Sequence, residues 1–236
     1  IAGYDKRDPF TVAGGQPDFA GAMKSYRTLK IAWSPTLGYG RVDPEVMRLM
    51  EQAIRHIERL GLQVELVETV MDDPIDMWTA EFYAGVGTRL GDIIRNKPDL
   101  LDPPVLDILR KALDQDMNSY YQSVFKRYDF REKMRRFFEV YDILLTPTLP
   151  VAAFPTGLDM PPGYEDKNIV SWATFTYPFN LTGQPAASIP VGFTPGGLPV
   201  GLQAISSMHD ELSILSLAQA YQKSAQYHRE KPSQFS

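Results

Sequence analysis

An α/β fold on a mixed β-sheet is predicted by two patterns in this chain. Near the start, the apolar run Leu29-Lys30-Ile31-Ala32-Trp33 precedes an amphipathic helix and a second strand. That order is a β-α-β unit, which implies a parallel pair with a right-handed crossover. Near the end, Ala186 to Phe193 and Leu198 to Ile205 flank Thr194-Pro195-Gly196-Gly197, the layout of an antiparallel hairpin. One sheet that holds both units must be mixed.

Element by element, residues 1–28 read as an irregular lead-in with turn material at Asp8-Pro9 and Gly14-Gly15-Gln16-Pro17. Residues 29–68 form the β-α-β unit. In its helix Asp43 suits the N-cap, Pro44 the first helical position and Gly61 the C-terminal cap. Val46, Leu49, Met50, Ala53, Ile54, Ile57 and Leu60 recur there on one face. Residues 74–141 read as mainly helical, in stretches 74–95 and 103–141. In the second, Tyr121, Val124, Phe125, Tyr128, Met134, Phe137, Phe138 and Tyr141 are expected to share the inward face. Residues 142–236 hold the remaining strands and the terminal helix. The strand Ile143-Leu144-Leu145 stops at Thr146-Pro147, and residues 170–182 read as a short helix or turn that Pro178 must break or kink. Asp210 to Tyr227 reads as the last helix, with Ile214, Leu217, Ala218, Tyr221 and Ala225 inward. No internal repeat or low-complexity tract interrupts this single domain.

At 236 residues the chain has ample material for a buried core. Its net charge of −5 argues against a nucleic-acid scaffold, which needs a basic face to neutralise phosphates. Without cysteine, disulfides, thiolate nucleophiles and thiolate-held metals are excluded. His56, His209 and His228 are too scattered for a zinc helix, so no metal and no cofactor is called for. No apolar run approaches the roughly 18 residues that span a bilayer, and no signal peptide is visible. The start at Ile1-Ala2-Gly3 reads as that of a processed chain or a fragment.

Several matches to chemical motifs have simpler explanations. Ser123 and Lys126 have the S-x-x-K spacing of serine acylases, but the companion motifs are missing. Gly85, Gly87 and Gly91 approximate a dinucleotide fingerprint. A helical stretch precedes them and the third glycine comes one place late, so close helix packing explains them better. Asp72-Asp73 before Pro74 reads as a cap and turn. The basic residues Lys126, Arg127, Arg131, Lys133, Arg135 and Arg136 alternate with acids, as on a solvated helix face. The three histidines read as surface residues. The residues by themselves reach only an α/β domain with no complete catalytic constellation.

The C-terminal third adds a resemblance. Tyr141 to Pro150 (Tyr-Asp-Ile-Leu-Leu-Thr-Pro-Thr-Leu-Pro) leads to Phe175 to Pro190 (Phe-Thr-Tyr-Pro-Phe-Asn-Leu-Thr-Gly-Gln-Pro-Ala-Ala-Ser-Ile-Pro) and then to Gly197 to Gln203 (Gly-Leu-Pro-Val-Gly-Leu-Gln). In that order these segments resemble the amidase signature family, and Ala2 to Pro9 is similar to the segment that follows the family's catalytic core. The resemblance implies hydrolysis or transfer of amides by a serine nucleophile, a bridging serine in a cis peptide and a lysine base. All three lie upstream of the segment matched here, and nothing in this chain matches them. It therefore implies the C-terminal portion of a cytoplasmic amidase, 1–236, without catalytic residues of its own. The implied partners are a small-molecule amide and the upstream half of the same amidase, with no nucleic acid or membrane; a homodimer is allowed.

The same resemblance places Trp172, Ala173, Phe175, Tyr177 and Gln203 at the substrate. In the glutamine-dependent amidotransferase branch an acid at the position matching Ala173 holds the substrate's amino group, and alanine here favours a general amidase. For Asn180 and Gln203, a turn-capping and a buried structural amide are the plainer readings. The rival functional reading is a non-catalytic binding or assembly subunit. A nucleotide-binding domain fails because the loop after Trp33 offers no phosphate cradle. Thr146-Pro147 and the strand pair around Ser188 and Val200 are expected to be buried, and loss of an upstream half would then uncover sheet edges and apolar faces.

Overall fold

A computed structural model describes residues 3–15, 17–22 and 29–230. Of the lead-in, residues 1, 2, 16 and 23–28 lie outside the described residues; those described include one helical turn, α1 (Phe19–Ala22). Five strands form one sheet: β1 (Lys30–Trp33), β2 (Gln63–Leu66), β3 (Ile143–Pro147), β4 (Ala186–Phe193) and β5 (Pro199–Ser206). Their spatial order is β2-β1-β3-β5-β4. β1 runs parallel to both β2 and β3, whereas β5 is antiparallel to β3 and to β4, so the sheet is mixed as expected. At the hairpin, Gly197 supplies the left-handed φ of +79° that closes the turn.

Two-residue periodicity divides the core into two layers. Ile31, Trp33, Ile143, Leu145, Leu202 and Ala204 pack on one side with α2 (Pro44–Arg59) and α8 (Glu211–Ala225). Ala32, Leu144 and Ile205 face the other side, with Leu37, Met71, Phe130, Met134, Phe175 and Phe179. β3 is buried along its whole length, as expected of a strand with neighbours on both edges. α2 starts as the sequence predicts: Asp43 accepts from the Glu45 N–H at 2.7 Å, Pro44 follows, and Gly61 takes φ +87° beyond the end.

Between β2 and β3 lie α3 (Ile75–Arg89), α4 (Gly91–Asn96), α5 (Pro103–Leu113) and α6 (Met117–Phe137). Gly87 lets α5 approach: a Cβ there would sit 3.0 Å from Leu113, the close packing that the glycine pattern suggested. Stretch 103–141 is split, because Asp116 caps a new helix by accepting from the Ser119 N–H.

Three expectations are corrected. The inward face of α6 carries Phe130 and Met134, while Tyr121, Phe125 and Tyr128 are 49%, 60% and 59% exposed. α6 packs on α3 and on α7 (Tyr177–Thr182), and those neighbours, not aromatic content, select its buried stripe. Pro178 does not break a helix; it sits in the first turn of α7, where its missing N–H has no partner to lose. Ser188 is exposed, because β4 is an edge strand and its residues alternate in burial, while Val200 is buried as expected.

The basic residues of α6 behave largely as a solvated face: Arg135 pairs with Glu132 and Glu139, and Arg136 with Glu132. Those partners hold Glu132 near a pKa of about 2. Arg127 differs, pairing with Glu81 of α3. His56 is also more engaged than a surface residue. Its Nε2 lies 2.6 Å from Ser224 Oγ, and its ring meets Tyr221 edge-on at 5.0 Å, across the α2–α8 contact.

Burial, and secondarily Arg59, lowers the His56 pKa from 6.5. The folded state therefore favours the neutral ring, and the unfolded state binds the proton first as pH falls. This contribution to stability is complete above the unfolded value and is lost as pH drops through the lower folded one. Urea midpoints are expected to fall as the pH is lowered below 6.5, and His56→Gln should flatten that slope; an unchanged slope would contradict the assignment.

Candidate functional site

The 170s segment is tied to β5 at Gln203, beside Thr146 of β3, and the residues singled out from the sequence lie around that tie. Gln203, on β5, is buried, and its Nε2 donates to Thr146 Oγ1 at 3.0 Å and to the Phe175 carbonyl at 2.8 Å. Phe175 itself is fully buried in the second core layer. The plainer reading of Gln203, a buried structural amide, is what the geometry displays: one amide hydrogen bridges β5 to β3 and the other holds the 170s segment to the sheet. Asn180 lies in α7 with its side chain exposed.

A second tether fixes the same segment from the side of the loops that follow β1 and β2. Tyr177 is buried and its hydroxyl donates to Asp73 Oδ1 at 2.6 Å, an oxygen that also accepts from the Ile75 N–H at 3.0 Å. The Tyr39 hydroxyl donates to the Thr174 carbonyl at 3.0 Å. Burial, followed by the Asp73 carboxylate, raises the Tyr39 pKa; burial, followed by Tyr39 and the bond to Asp73, raises that of Tyr177. Both phenols remain protonated donors at neutral pH and cannot serve as bases there. Asp73 makes the turn expected from the sequence by accepting from the Ile75 N–H, although the N-cap of α3 is Pro74 without a side-chain cap bond, and it also anchors Tyr177.

Trp172 is the predicted residue that reaches an open groove. Its indole N–H donates to the Ile169 carbonyl at 3.2 Å, and Phe154 meets it edge-on at 5.4 Å. The groove has a volume of about 380 Å³, with walls of Leu149, Phe154, Trp172 and Pro190. Thr148 and Ser188 supply a polar spot in it, their hydroxyls 2.8 Å apart. Gly201 is required beneath that pair, since a Cβ there would lie 2.9 Å from Thr148 Oγ1 and closer still to Ser188. Ala173 is half-buried beside Trp172 and is not among the groove's lining residues. The structure therefore separates the five: Trp172 lines the groove, Ala173 adjoins it, and Phe175, Tyr177 and Gln203 serve as internal supports.

Thr148, Phe154 and Ser188 escaped the sequence reading. The only available signal was positional: Thr148 follows a strand that ends at proline, and Ser188 takes the outward register of β4. Among the described residues, neither hydroxyl has a hydrogen-bonded base, and an unactivated hydroxyl is a weak nucleophile. Ser123 donates weakly to the Ser119 carbonyl at 3.4 Å, a contact that contains no Lys126 partner. No cluster of His, Asp and Glu among the described residues could hold a metal ion. The groove suits binding of an apolar, uncharged group next to a hydrogen-bonding hydroxyl pair.

The sequence model of the family described as Amidase matches residues 1–215. An acylamidase of Rhodococcus erythropolis is 29% identical over 98% of this chain and 50% of its own length. A glutamyl-tRNA(Gln) amidotransferase subunit from Moorella thermoacetica is 31% identical over 98% and 52%. A solved bacterial aryl acylamidase of the amidase signature enzymes superposes with a TM-score of 0.83 at 22% identity, over 97% of this chain and 50% of that one. A 6-aminohexanoate cyclic dimer hydrolase, solved with its substrate, gives 0.84 at 19% identity, over 100% and 53%. This chain spans about half the length of the relatives it matches.

Replacing Gln203 by Leu keeps the bulk but strips the Phe175 carbonyl of its donor. The loss is expected to be about 1–3 kcal/mol, measured by urea unfolding. A change in Trp172 emission should accompany it if Gln203 positions the groove wall.

Proposed function

The chain belongs to the amidase signature family, and from that premise we propose that it is the substrate-cleft-forming, C-terminal part of an amide-bond hydrolase acting in the cytoplasm. The observation that carries the proposal is the groove at Trp172, with its apolar walls and a hydroxyl pair that has no hydrogen-bonded base among the described residues. Such a surface can hold a neutral amide but lacks the means to attack it. Acyl transfer needs an activated nucleophile and preorganised donors for the oxyanion. In this reading both come from an upstream half of the same amidase, carrying the serine–serine–lysine core.

The expected substrates are linear amides with an apolar or aromatic substituent. Trp172 and Phe154 offer aromatic area, and Ala173 offers no charge to balance an ammonium. A charged amine would shed water at such a wall without gaining a carboxylate, which costs several kcal/mol unless paired. This separates the proposed substrate from an amino-acid-like amide such as glutamine.

Two measurements test the proposal. The purified chain by itself is expected to turn over neither aryl nor aliphatic amides; turnover that tracks the protein and disappears in Ser123→Ala would overturn the division of labour. With the core-bearing half supplied, Ala173→Asp is expected to move kcat/KM towards an amino-acid amide relative to a neutral aryl amide. An unmoved ratio, or a wild-type preference for the charged amide, would remove the 172–173 segment from the specificity wall. No turnover even with that half present would favour the non-catalytic binding subunit instead.

A further inference from the structure

Between β3 and α7 the chain runs through residues 148–176 without a helix or a strand, and the loop from β1 to α2 holds it at three points. The Asp43 N–H donates to the Pro150 carbonyl at 2.8 Å. The Tyr164 hydroxyl donates to the Arg41 carbonyl at 3.0 Å, while the Arg41 guanidinium lies 4.8 Å over the Tyr164 ring. The same guanidinium pairs with Asp166 Oδ1 at 2.6 Å. Tyr39 ties down the Thr174 carbonyl. Gly40 lets the loop lie this close, since a Cβ there would meet Thr174 at 2.9 Å and Phe175 at 3.2 Å.

Pro150 and Tyr164 are held by residues two apart, so residues 151–163 leave and return at nearly one place, as an Ω-loop does. The far side of this loop, Pro155 to Asp159, is exposed. Its near side, Val151 to Phe154, lines the groove, and the Phe154 ring meets the Trp172 indole edge-on. Trp172 in turn follows Asp166 closely in the chain, so both aromatic walls take their place from the same foot of the loop. Arg41 is not among the groove's lining residues and acts on it only through the loop. A planar guanidinium can cover a ring and fork to a carboxylate at once, as an ammonium does not. With side chains 52% and 60% exposed, the Arg41–Asp166 pair adds little to global stability. It sets where the loop sits, not whether the chain folds. We infer that Arg41 is a positioning residue for the groove, clasping Tyr164 and Asp166 so that Phe154 is held against Trp172. Its effect on substrate rests on the reading of the groove as the substrate cleft; its effect on the groove's shape does not.

Fluorine NMR of the chain labelled with 5-fluorotryptophan, with any companion polypeptide retained, reads the groove directly. The resonances are assigned by Trp33→Phe, Trp78→Phe and Trp172→Phe. Arg41→Ala is expected to shift or broaden the Trp172 resonance, to leave those of Trp33 and Trp78 in place, and to leave the urea midpoint nearly unmoved. Asp166→Ala should move the Trp172 resonance in the same direction, and the double variant by less than the sum of the two. A Trp172 resonance indifferent to Arg41→Ala would overturn the inference. So would a fall in urea midpoint as large as that of Gln203→Leu, because Arg41 would then support the fold and not the groove. With the core-bearing half supplied, Arg41→Ala should raise KM for acetanilide about tenfold and change kcat little. A shifted resonance with an unmoved KM keeps the clasp and removes the groove from the substrate reading, so the two failures are told apart.

Discussion

Both hydrogens of the Gln203 amide are committed inside the protein, one to Thr146 on β3 and one to the carbonyl of Phe175. Thr146 is paired directly opposite Gln203 in the β3–β5 ladder, so the side-chain bond reinforces a register that the backbone already sets. The second bond reaches 28 residues back along the chain and suspends the 170s segment from the sheet. With the Phe175 ring seated in the core below, that segment is held at backbone and side chain together. Its neighbour Trp172 can then form a groove wall although it lies in irregular structure.

The remaining supports act in the same direction. Tyr177 and Tyr39 tie the segment to Asp73 and to the loop after β1, which joins the parallel and antiparallel halves of the sheet at one end. A buried tyrosine hydroxyl needs a partner, and here the partners are a carboxylate and a backbone carbonyl that have few other options. Gly201 completes the arrangement by leaving room where Thr148 and Ser188 meet. The groove is thus a rigid feature of the β3–β5–β4 corner, the kind of surface on which binding groups can be kept in place.

Among the described residues neither hydroxyl of the groove has a hydrogen-bonded base, and the chain spans about half the length of the relatives it matches. The described polar side chains are mostly employed in capping, in surface ion pairs such as Glu132 with Arg135 and Arg136, or in tethering loops. Glu81 and Arg127 form a largely buried pair between α3 and α6, and Glu81 Oε1, like Gln184 Oε1, is buried without a hydrogen-bond partner among the described residues.

Local signals in the sequence determined much of this protein. The Asp43-Pro44 start of α2, its apolar face, the parallel pair with β2 and the hairpin at Gly197 each depend on residues close in the chain, so capping, periodicity and turn chemistry were enough to read them. The resemblance carried by Tyr141 to Gln203 was likewise legible, because it lies in contiguous words. What was not legible depended on contacts distant in sequence. Whether Tyr121 or Phe130 faces inward on α6 is decided by α3 and α7. Whether Phe175 and Gln203 line a cleft or support it is decided by the meeting of β3, β5 and the 170s segment. Periodicity shows that a residue belongs to a face, but only the neighbour that covers the face settles whether it becomes core, support or binding wall.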